Sequence, residues 1–355
     1  MFSSKNVKVL LLVSNPNIFD HALALFNQMS KSGAQVKFLL PDGAVLPERY
    51  LHLKTFVLKG FSKYFARRYK YIWFQEPYRE LWDPFWNDLI NGKHVIYSGY
   101  GLIMTDTDEF HYGLDFYKRC STIMIQNMDM HSKFISMGIA EEKLLFTGDP
   151  LKYELKYILN KTFSGEKYDL VWMPHWTFKW MDGRKGFARW PEMFEGILSF
   201  AKSNPHFKIL IRVHPLMDDP NIVESDFKWS NVKYKLMSES NITFSNNSLV
   251  DDIILSKSLI SDGVTPIAYF GMTGKPVCYF KGVGEFGPFN ENGLKIVKTT
   301  YVASSLDEIL GWIKEVRSAN PMGKKLVQTI NAIFPNFSDS PGKMLVNHLH
   351  EIESS

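Results

Sequence analysis

Three short segments in the second half of the chain set polar side chains immediately at or after apolar runs. Pro174-His175-Trp176-Thr177 follows the run Asp169 to Met173. Arg212-Val213-His214-Pro215 closes the run from Lys208, and Ser261-Asp262-Gly263-Val264-Thr265-Pro266 closes the run from Ser258. In doubly wound sheets ligands bind outside the carboxyl ends of the strands, so these positions carry the chemistry. A histidine leaving a buried strand projects into the crevice, and Pro215 ends its strand and holds His214 at the rim. Two imidazoles at equivalent strand ends can donate to a pyrophosphate oxygen and offset charge as a nucleotide departs. In the third segment Gly263 allows a tight turn, Thr265 suits an N-cap and Pro266 the first helical position, which offers free amides to a phosphate. His175 and His214 are therefore candidate catalytic groups, and Arg212, Asp262, Gly263, Val264 and Thr265 candidate donor-binding residues. The loop Trp180 to Trp190 adds Arg184, Lys185 and Arg189 around Gly183 and Gly186, a mobile cationic segment able to close over a diphosphate.

The elements that position these residues follow from periodicity. Strands are expected at Val7 to Val13, Gln35 to Leu40, Thr55 to Leu58, His94 to Tyr97, Thr122 to Gln126 and Leu144 to Phe146. Helices are expected near Phe19 to Ser30, Tyr78 to Ile90 and Asp129 to Met137. Alternation of this kind gives a parallel sheet. The Lys- and Tyr-rich segment 151–168 reads as a link, after which the pattern restarts. Strands are expected at Asp169 to Met173, Lys208 to Val213, Ser258 to Ser261 and Pro276 to Phe280. Helices are expected at Pro191 to Ala201, Ser248 to Ser256, from Pro266, near Leu306 to Val316 and at Lys343 to Ile352. One architecture occurs twice. The expected domains are 1–155 on the acceptor side, 156–335 for the nucleotide donor, and a final segment 336–355 whose helix crosses back to the first.

At 355 residues two domains are expected. Hydrophobic residues at 45% and charged residues at 22% exclude a disordered chain. The net charge of +4 falls short of a nucleic-acid binder, so no such partner is expected. The run Val9 to Val13 is too short for a signal segment, and nothing approaches a spanning helix, which points to the cytoplasm. Cys120 and Cys278 lie far apart in apolar runs and read as buried thiols. There is no zinc spacing and no P-loop, so no metal and no cofactor are expected. Lys59, Lys63, Arg67, Arg68 and Lys70 occur without an acid among Phe61, Tyr64, Phe65 and Tyr69. If helical, Lys59 to Lys70 offers a cationic face suited to an anionic membrane surface at the inner face of the cell membrane, or to a phosphate-bearing acceptor. A solvated helix face is the plainer alternative.

At the strand-end segments the sequence resembles the CDP-glycerol glycerophosphotransferases of teichoic-acid and capsule synthesis. The resemblance rests on Thr147-Gly148-Asp149-Pro150, Pro174-His175-Trp176-Thr177, Arg212-Val213-His214-Pro215-Leu216, and the 261–266 segment followed by Gly271-Met272-Thr273-Gly274-Lys275-Pro276-Val277, in that order. It covers roughly the second 60% of the chain. It implies an α/β GT-B fold, two Rossmann-like domains with parallel sheets facing across a cleft. It also implies that His214, Asp262 and Thr265 surround the donor's phosphates and polyol, with His175 nearby. Where that family carries a His-Gly-Thr element thought to supply the general base, this chain reads Ser98-Gly99-Tyr100-Gly101. A base must reach the acceptor hydroxyl, and first-half strand ends offer Asp20, His21, Asp106, Asp108 and His111, with Asp20 and His21 preferred. Asp106-Thr107-Asp108 matches a metal-binding pattern of a different transferase fold and reads as a loop.

The expectation is a transferase moving a glycerol-phosphate-type group from a CDP-activated donor to a saccharide or lipid-linked acceptor hydroxyl. The alternatives are a glycosyltransferase using a nucleotide sugar, a sugar-nucleotide epimerase, and a non-catalytic nucleotide- or polymer-binding protein.

Overall fold

The structure, a computed structural model, describes residues 7–354 except 16–17, 41–45, 47, 54, 58–65, 78–88, 100, 107–110, 161–164, 180–182, 219–228 and 316–319. The chain divides into two units, one comprising 1–102, 107–154 and 334–355, the other 103–106 and 155–333.

In the first unit the apolar runs become β1 (Lys8–Leu12), β2 (Gln35–Leu40), β3 (Thr55–Val57), β4 (Tyr71–Phe74), β5 (His94–Tyr97), β6 (Thr122–Ile125) and β7 (Leu144–Phe146). They pair in parallel in the order β3-β2-β1-β4-β5-β6-β7. Runs such as Lys-Val-Leu-Leu-Leu and Tyr-Ile-Trp-Phe are almost continuously apolar, as strands covered on both faces require. β4, like the strands Ile242–Phe244 and Tyr301–Ala303 of the second unit, is absent from the sequence expectation. Its four residues, all buried, carry no periodicity of their own, yet they form the strand beside β1. Between strands lie α1 (Asp20–Lys31), α2 (Asp115–Arg119), α3 (Met128–Ser136) and, after β7, α4 (Pro150–Leu159). The segment 151–168, expected as a link, is thus helical over its first half. Leu151 and Leu155 fall on one buried face, and Asp149 Oδ1 accepts the Lys152 N–H at 2.7 Å to start the helix. The expected helix 78–90 lies mostly outside the described residues.

The second unit holds β8 (Leu170–Met173), β9 (Ile209–Ile211), β10 (Ile242–Phe244), β11 (Leu259–Ser261), β12 (Val277–Phe280) and β13 (Tyr301–Ala303), parallel in the order β10-β9-β8-β11-β12-β13. Its helices among the described residues are α5 (Trp190–Ser203), α6 (Trp229–Met237), α7 (Leu249–Leu255), α8 (Thr265–Gly271), α9 (Glu291–Val297), α10 (Leu306–Glu315) and α11 (Gly323–Ile333). Trp172, Trp190 and Trp229 meet edge to face in its core, with centroids 6.4 and 5.2 Å apart.

The last helix, α12 (Pro341–Ser354), packs on α1 within the first unit. Leu345, Val346 and Leu349 enter that unit's core, each worth roughly 1.5–3 kcal/mol on burial. Gly342 allows the close crossing: a Cβ there would sit 2.5 Å from Gln28 Cβ, and its N–H donates to Gln28 Oε1 at 3.1 Å.

Each sheet reverses its strand order once, between β1 and β4 in the first unit and between β8 and β11 in the second. The carboxyl ends at such a reversal are where doubly wound sheets hold ligands.

Candidate functional site

The reversal in the second unit is bridged by one carboxylate. Asp262 follows β11 directly and is fully buried. Its Oδ1 accepts the His175 N–H at 2.7 Å and its Oδ2 the Arg189 N–H at 2.6 Å. The end of β8 and the residue preceding α5 are thereby fixed to the end of β11. Burial pushes the Asp262 carboxyl up to about 7, against the pull of the amides and the Arg189 guanidinium. Ser261 Oγ closes the same corner, donating to the Met173 carbonyl at 2.7 Å and accepting the Gly263 N–H at 3.0 Å.

Both expected histidines sit at this edge, just past the adjacent strands β8 and β9, with ring centroids 5.7 Å apart. His175 Nδ1 takes the Thr177 N–H at 3.2 Å and lies 2.6 Å from Thr177 Oγ1. His214 Nδ1 takes the Leu216 N–H at 3.2 Å. A backbone amide can only donate, so this network assigns Nδ1 as the acceptor and puts the proton on Nε2 in both rings. Among the described residues neither Nε2–H meets a partner. His175 stacks on Trp176 at 6.1 Å and 19°, and meets Phe187 edge-on at 5.2 Å. Burial lowers the His175 pKa to about 3 and carries His214 well below the usual value, helped by the neighbouring His175 and Arg212. The pair is neutral at physiological pH. It offers two N–H dipoles rather than the charge the sequence suggested.

The remaining expected residues are placed differently from one another. Gly263 is not in a left-handed turn; its missing Cβ makes room for the imidazole, since a Cβ would lie 2.8 Å from His175 Cδ2. Thr265 does not cap α8. Val264, buried, holds the cap position with no side-chain hydrogen bond, and Thr265 is the first helical residue. Arg212 Nη1 turns to Asp252 Oδ2 at 2.9 Å and the Asn247 carbonyl at 2.8 Å, in a network with Ser245 that ties the end of β9 to α7. In the loop, Arg184 is exposed beside Asp106 at 3.3 Å and Lys185 beside Glu192 at 3.7 Å. Its described part is hydrogen-bonded to the segment that precedes it. Gly186 N–H donates to Phe178 O at 2.7 Å and Ala188 N–H to Thr177 O at 2.8 Å, and a Cβ on Gly186 would sit 2.3 Å from Thr177 O.

Arg189 belongs to the site in a way the sequence reading misses. The residue is 3% exposed and its guanidinium is held by the carbonyls of Lys281, Gly186 and Ala188 at 2.8–3.1 Å. A buried cation bonded to carbonyl oxygens lends positive potential to the neighbouring rim. Its place before Trp190-Pro191, at a helix start, was the available signal.

In the first unit Asp20 accepts the Tyr50 hydroxyl, and burial raises the Tyr50 pKa. His21, buried, has Nε2 3.6 Å from Asp149 Oδ2, and desolvation lowers its pKa despite Asp149 and Asp20. The Thr147 to Pro150 motif is therefore a corner of this unit: Gly148, at φ +79°, lies where a Cβ would press on the Phe337 ring at 3.0 Å. His111 stands against Tyr112, with ring centroids 6.3 Å apart. Asp108, and Lys59 to Phe65 of the basic segment, lie outside the described residues. Both cysteines are buried, with their thiol pKa values raised by burial. Among the described residues no His, Cys, Asp and Glu group could hold a metal ion, and no helix is long and apolar enough to cross a membrane.

Two parallel α/β sheets with these reversals define a GT-B fold. Solved structures share it. The wall teichoic acid polymerase TagF matches with a TM-score of 0.64 and 15% identity, over 98% of this chain and 88% of that one. The UDP-GlcNAc 2-epimerase from Neisseria meningitidis bound to UDP-GlcNAc matches at 0.57 and 11%, over 99% and 100%. A glycosyltransferase from Rickettsia africae matches at 0.53 and 12%, over 99% and 98%. No family model and no curated protein matches the chain in sequence.

Proposed function

We propose that the chain is a nucleotide-dependent transferase whose second unit binds the diphosphate of an activated donor at the His175 and His214 rim. The observation that carries this reading is the pair of Nε2–H groups, both fixed in tautomer by backbone amides and both without partners among the described residues. Two such donors, on rings whose centroids lie 5.7 Å apart at the reversal of the sheet, suit the oxygens of one diphosphate. The resemblance of the strand-end motifs to CDP-glycerol glycerophosphotransferases supports a glycerol-phosphate-type group as the cargo. A hydroxyl of a saccharide or lipid-linked polymer at the inner face of the membrane would be the acceptor. In an in-line displacement the acceptor oxygen bonds to the donor phosphorus while the bond to the nucleotide breaks. Two neutral N–H donors would stabilise the charge that gathers on the leaving phosphate.

The test is a thermal-shift series with CDP, CMP, UDP, GDP and ADP, paired with turnover of CDP-glycerol. Stabilisation by CDP or CMP is expected, and His214→Ala should cost about 2.7–4 kcal/mol of transition-state stabilisation, the loss of one preorganised donor. Turnover untouched by His214→Ala would sink the reading. Preference for UDP, GDP or ADP would select a nucleotide-sugar glycosyltransferase instead, and conversion of a UDP-sugar without acceptor would select an epimerase. The epimerase and glycosyltransferase of the same fold give both alternatives their standing.

A further inference from the structure

The first unit's reversal, between β1 and β4, carries its own polar group. Ser14 follows β1, and Gln75 and Glu76 follow β4. Gln75 is fully committed: Oε1 accepts the Asn15 N–H at 2.9 Å and Nε2 donates to the Ile18 carbonyl at 2.9 Å, clamping the turn after β1. Glu76 is not. It is 8% exposed, its Oε2 accepts the Ser14 hydroxyl, and among the described residues neither a cation nor an amide reaches it. Oε1 has no partner there at all. Burial raises its pKa, with the Ser14 hydrogen bond opposing.

A carboxylate so enclosed with one hydroxyl for company is costly, and other buried carboxylates of this molecule are not left that way. Asp262 has two amides, Asp252 has Arg212, Ser245 and Asn247, and Asp149 has an amide, Gln126 and His21. A second unfilled acceptor lies at the same end of the sheet. Gln126, just past β6 and 2% exposed, donates through Nε2 to the Gly101 carbonyl at 3.0 Å and to Asp149 Oδ2 at 3.3 Å. Both neighbours can only accept, so the amide's orientation is fixed and Oε1 is left without a partner. Between these strands β5 runs out into Ser98-Gly99, where Gly99 at φ +72° places no side chain. Strand spacing sets the ends of β4 and β6 on the order of 10 Å apart, the span of a sugar ring with its hydroxyls.

We propose that the carboxyl end of the first unit's sheet binds an uncharged polyhydroxylated moiety, with Glu76 Oε1 as its first hydrogen-bond acceptor and Gln126 Oε1 as its second. Acceptors without donors select hydroxyl groups and repel anions, the reverse of the histidine rim.

Saturation-transfer NMR on the full chain tests the site with glycerol, N-acetylglucosamine and glycerol 3-phosphate as probes. The wild type should saturate glycerol or N-acetylglucosamine, and no less strongly than the anionic probe. Glu76→Gln and Glu76→Leu should cut that signal about tenfold, as loss of one charge-assisted bond implies, and Gln126→Leu should cut it less. The melting temperature of Glu76→Gln should not fall below the wild-type value and any nucleotide-induced shift should be unchanged, showing the fold intact. Absence of saturation by either neutral probe in the wild type, or equal saturation in both Glu76 variants, overturns the proposal. A nucleotide series without stabilisation would defeat the donor reading while leaving this measurement standing.

Discussion

Each unit buries one carboxylate at the reversal of its sheet, and the two are treated in opposite ways. Asp262, just after β11, spends both oxygens on backbone amides of neighbouring segments. Glu76, after β4, has one hydroxyl and an idle oxygen. The strand orders around them correspond, β2-β1-β4-β5 in one sheet and β9-β8-β11-β12 in the other. The same topological place thus holds framework in one unit and an open acceptor in the other. The difference teaches that position at a reversal nominates a residue for function, and its hydrogen-bond inventory decides the matter. In the second unit the carboxylate's service is indirect: it fixes the backbone from which His175 projects.

The comparison breaks most visibly in stability. Asp262→Ala strands two buried amides at about 1–3 kcal/mol each, so denaturant unfolding of the second unit should lose about 2–6 kcal/mol. Glu76→Gln removes an unpaired buried charge and should range from no change to a gain of about 1 kcal/mol. Equal losses in the two variants would mean that Glu76 is framework after all. Next in size is Gly263→Ala. Its new Cβ meets His175 2.8 Å away, which should cost about 1–3 kcal/mol and reduce any nucleotide-induced thermal shift by displacing one donor. An unchanged shift would separate His175 from the ligand.

Acidity sharpens the contrast. Asp262, raised to about 7 in the fold, contributes stability that is complete below the unfolded carboxyl range and is lost as pH rises through 7. Glu76, also raised, acts in the same direction. His175, lowered to about 3, contributes stability present above pH 6.5 and lost as pH falls toward 3. Between about pH 4 and 7, therefore, the raised carboxyls lower the melting temperature as pH rises while His175 raises it, and above 7 these contributions are level. Over that window Asp262→Asn should make the slope of melting temperature against pH more positive, and His175→Gln should make it more negative. Wild-type slopes in both variants would show that other groups govern it.

Much of this was legible in the chain because strand ends announce themselves. Pro174-His175 and His214-Pro215 follow apolar runs, and parallel strands covered on both faces need such runs, so the place of both imidazoles at strand ends is readable from sequence. The residues that escaped did so for physical reasons. The strand β4 is four residues with no alternation, and without it Glu76 has no strand to end. Arg189 reads as one of three loop cations, and only tertiary packing turns it inward while leaving Arg184 outside. Gly263 serves by its missing Cβ and not by its φ, and a glycine selected for space looks in sequence like one selected for φ. Thr265 satisfies the composition of a cap, but the chain enters α8 through Val264 with helical dihedrals and leaves its hydroxyl no amide to receive.

The smallest expected effect concerns those outer cations. Arg184 and Lys185 are about half exposed and paired at the surface. Exposed pairs of that kind contribute about 0–1 kcal/mol, so Arg184→Ala with Lys185→Ala should leave the melting temperature nearly unchanged. Their bearing on the donor is a separate matter, readable in salt. If diphosphate is held by neutral N–H groups and buried Arg189, nucleotide affinity in the double variant should match wild type between low and physiological ionic strength. If instead the loop closes over the ligand with its charges, the variant should bind more weakly at low salt and converge with wild type as screening rises, since exposed charges lose their reach beyond about 8–10 Å. Convergence of that form would move the electrostatic centre of the second unit from the strand ends to the loop, and the contrast with Glu76 would become one of surface charge rather than of buried inventory.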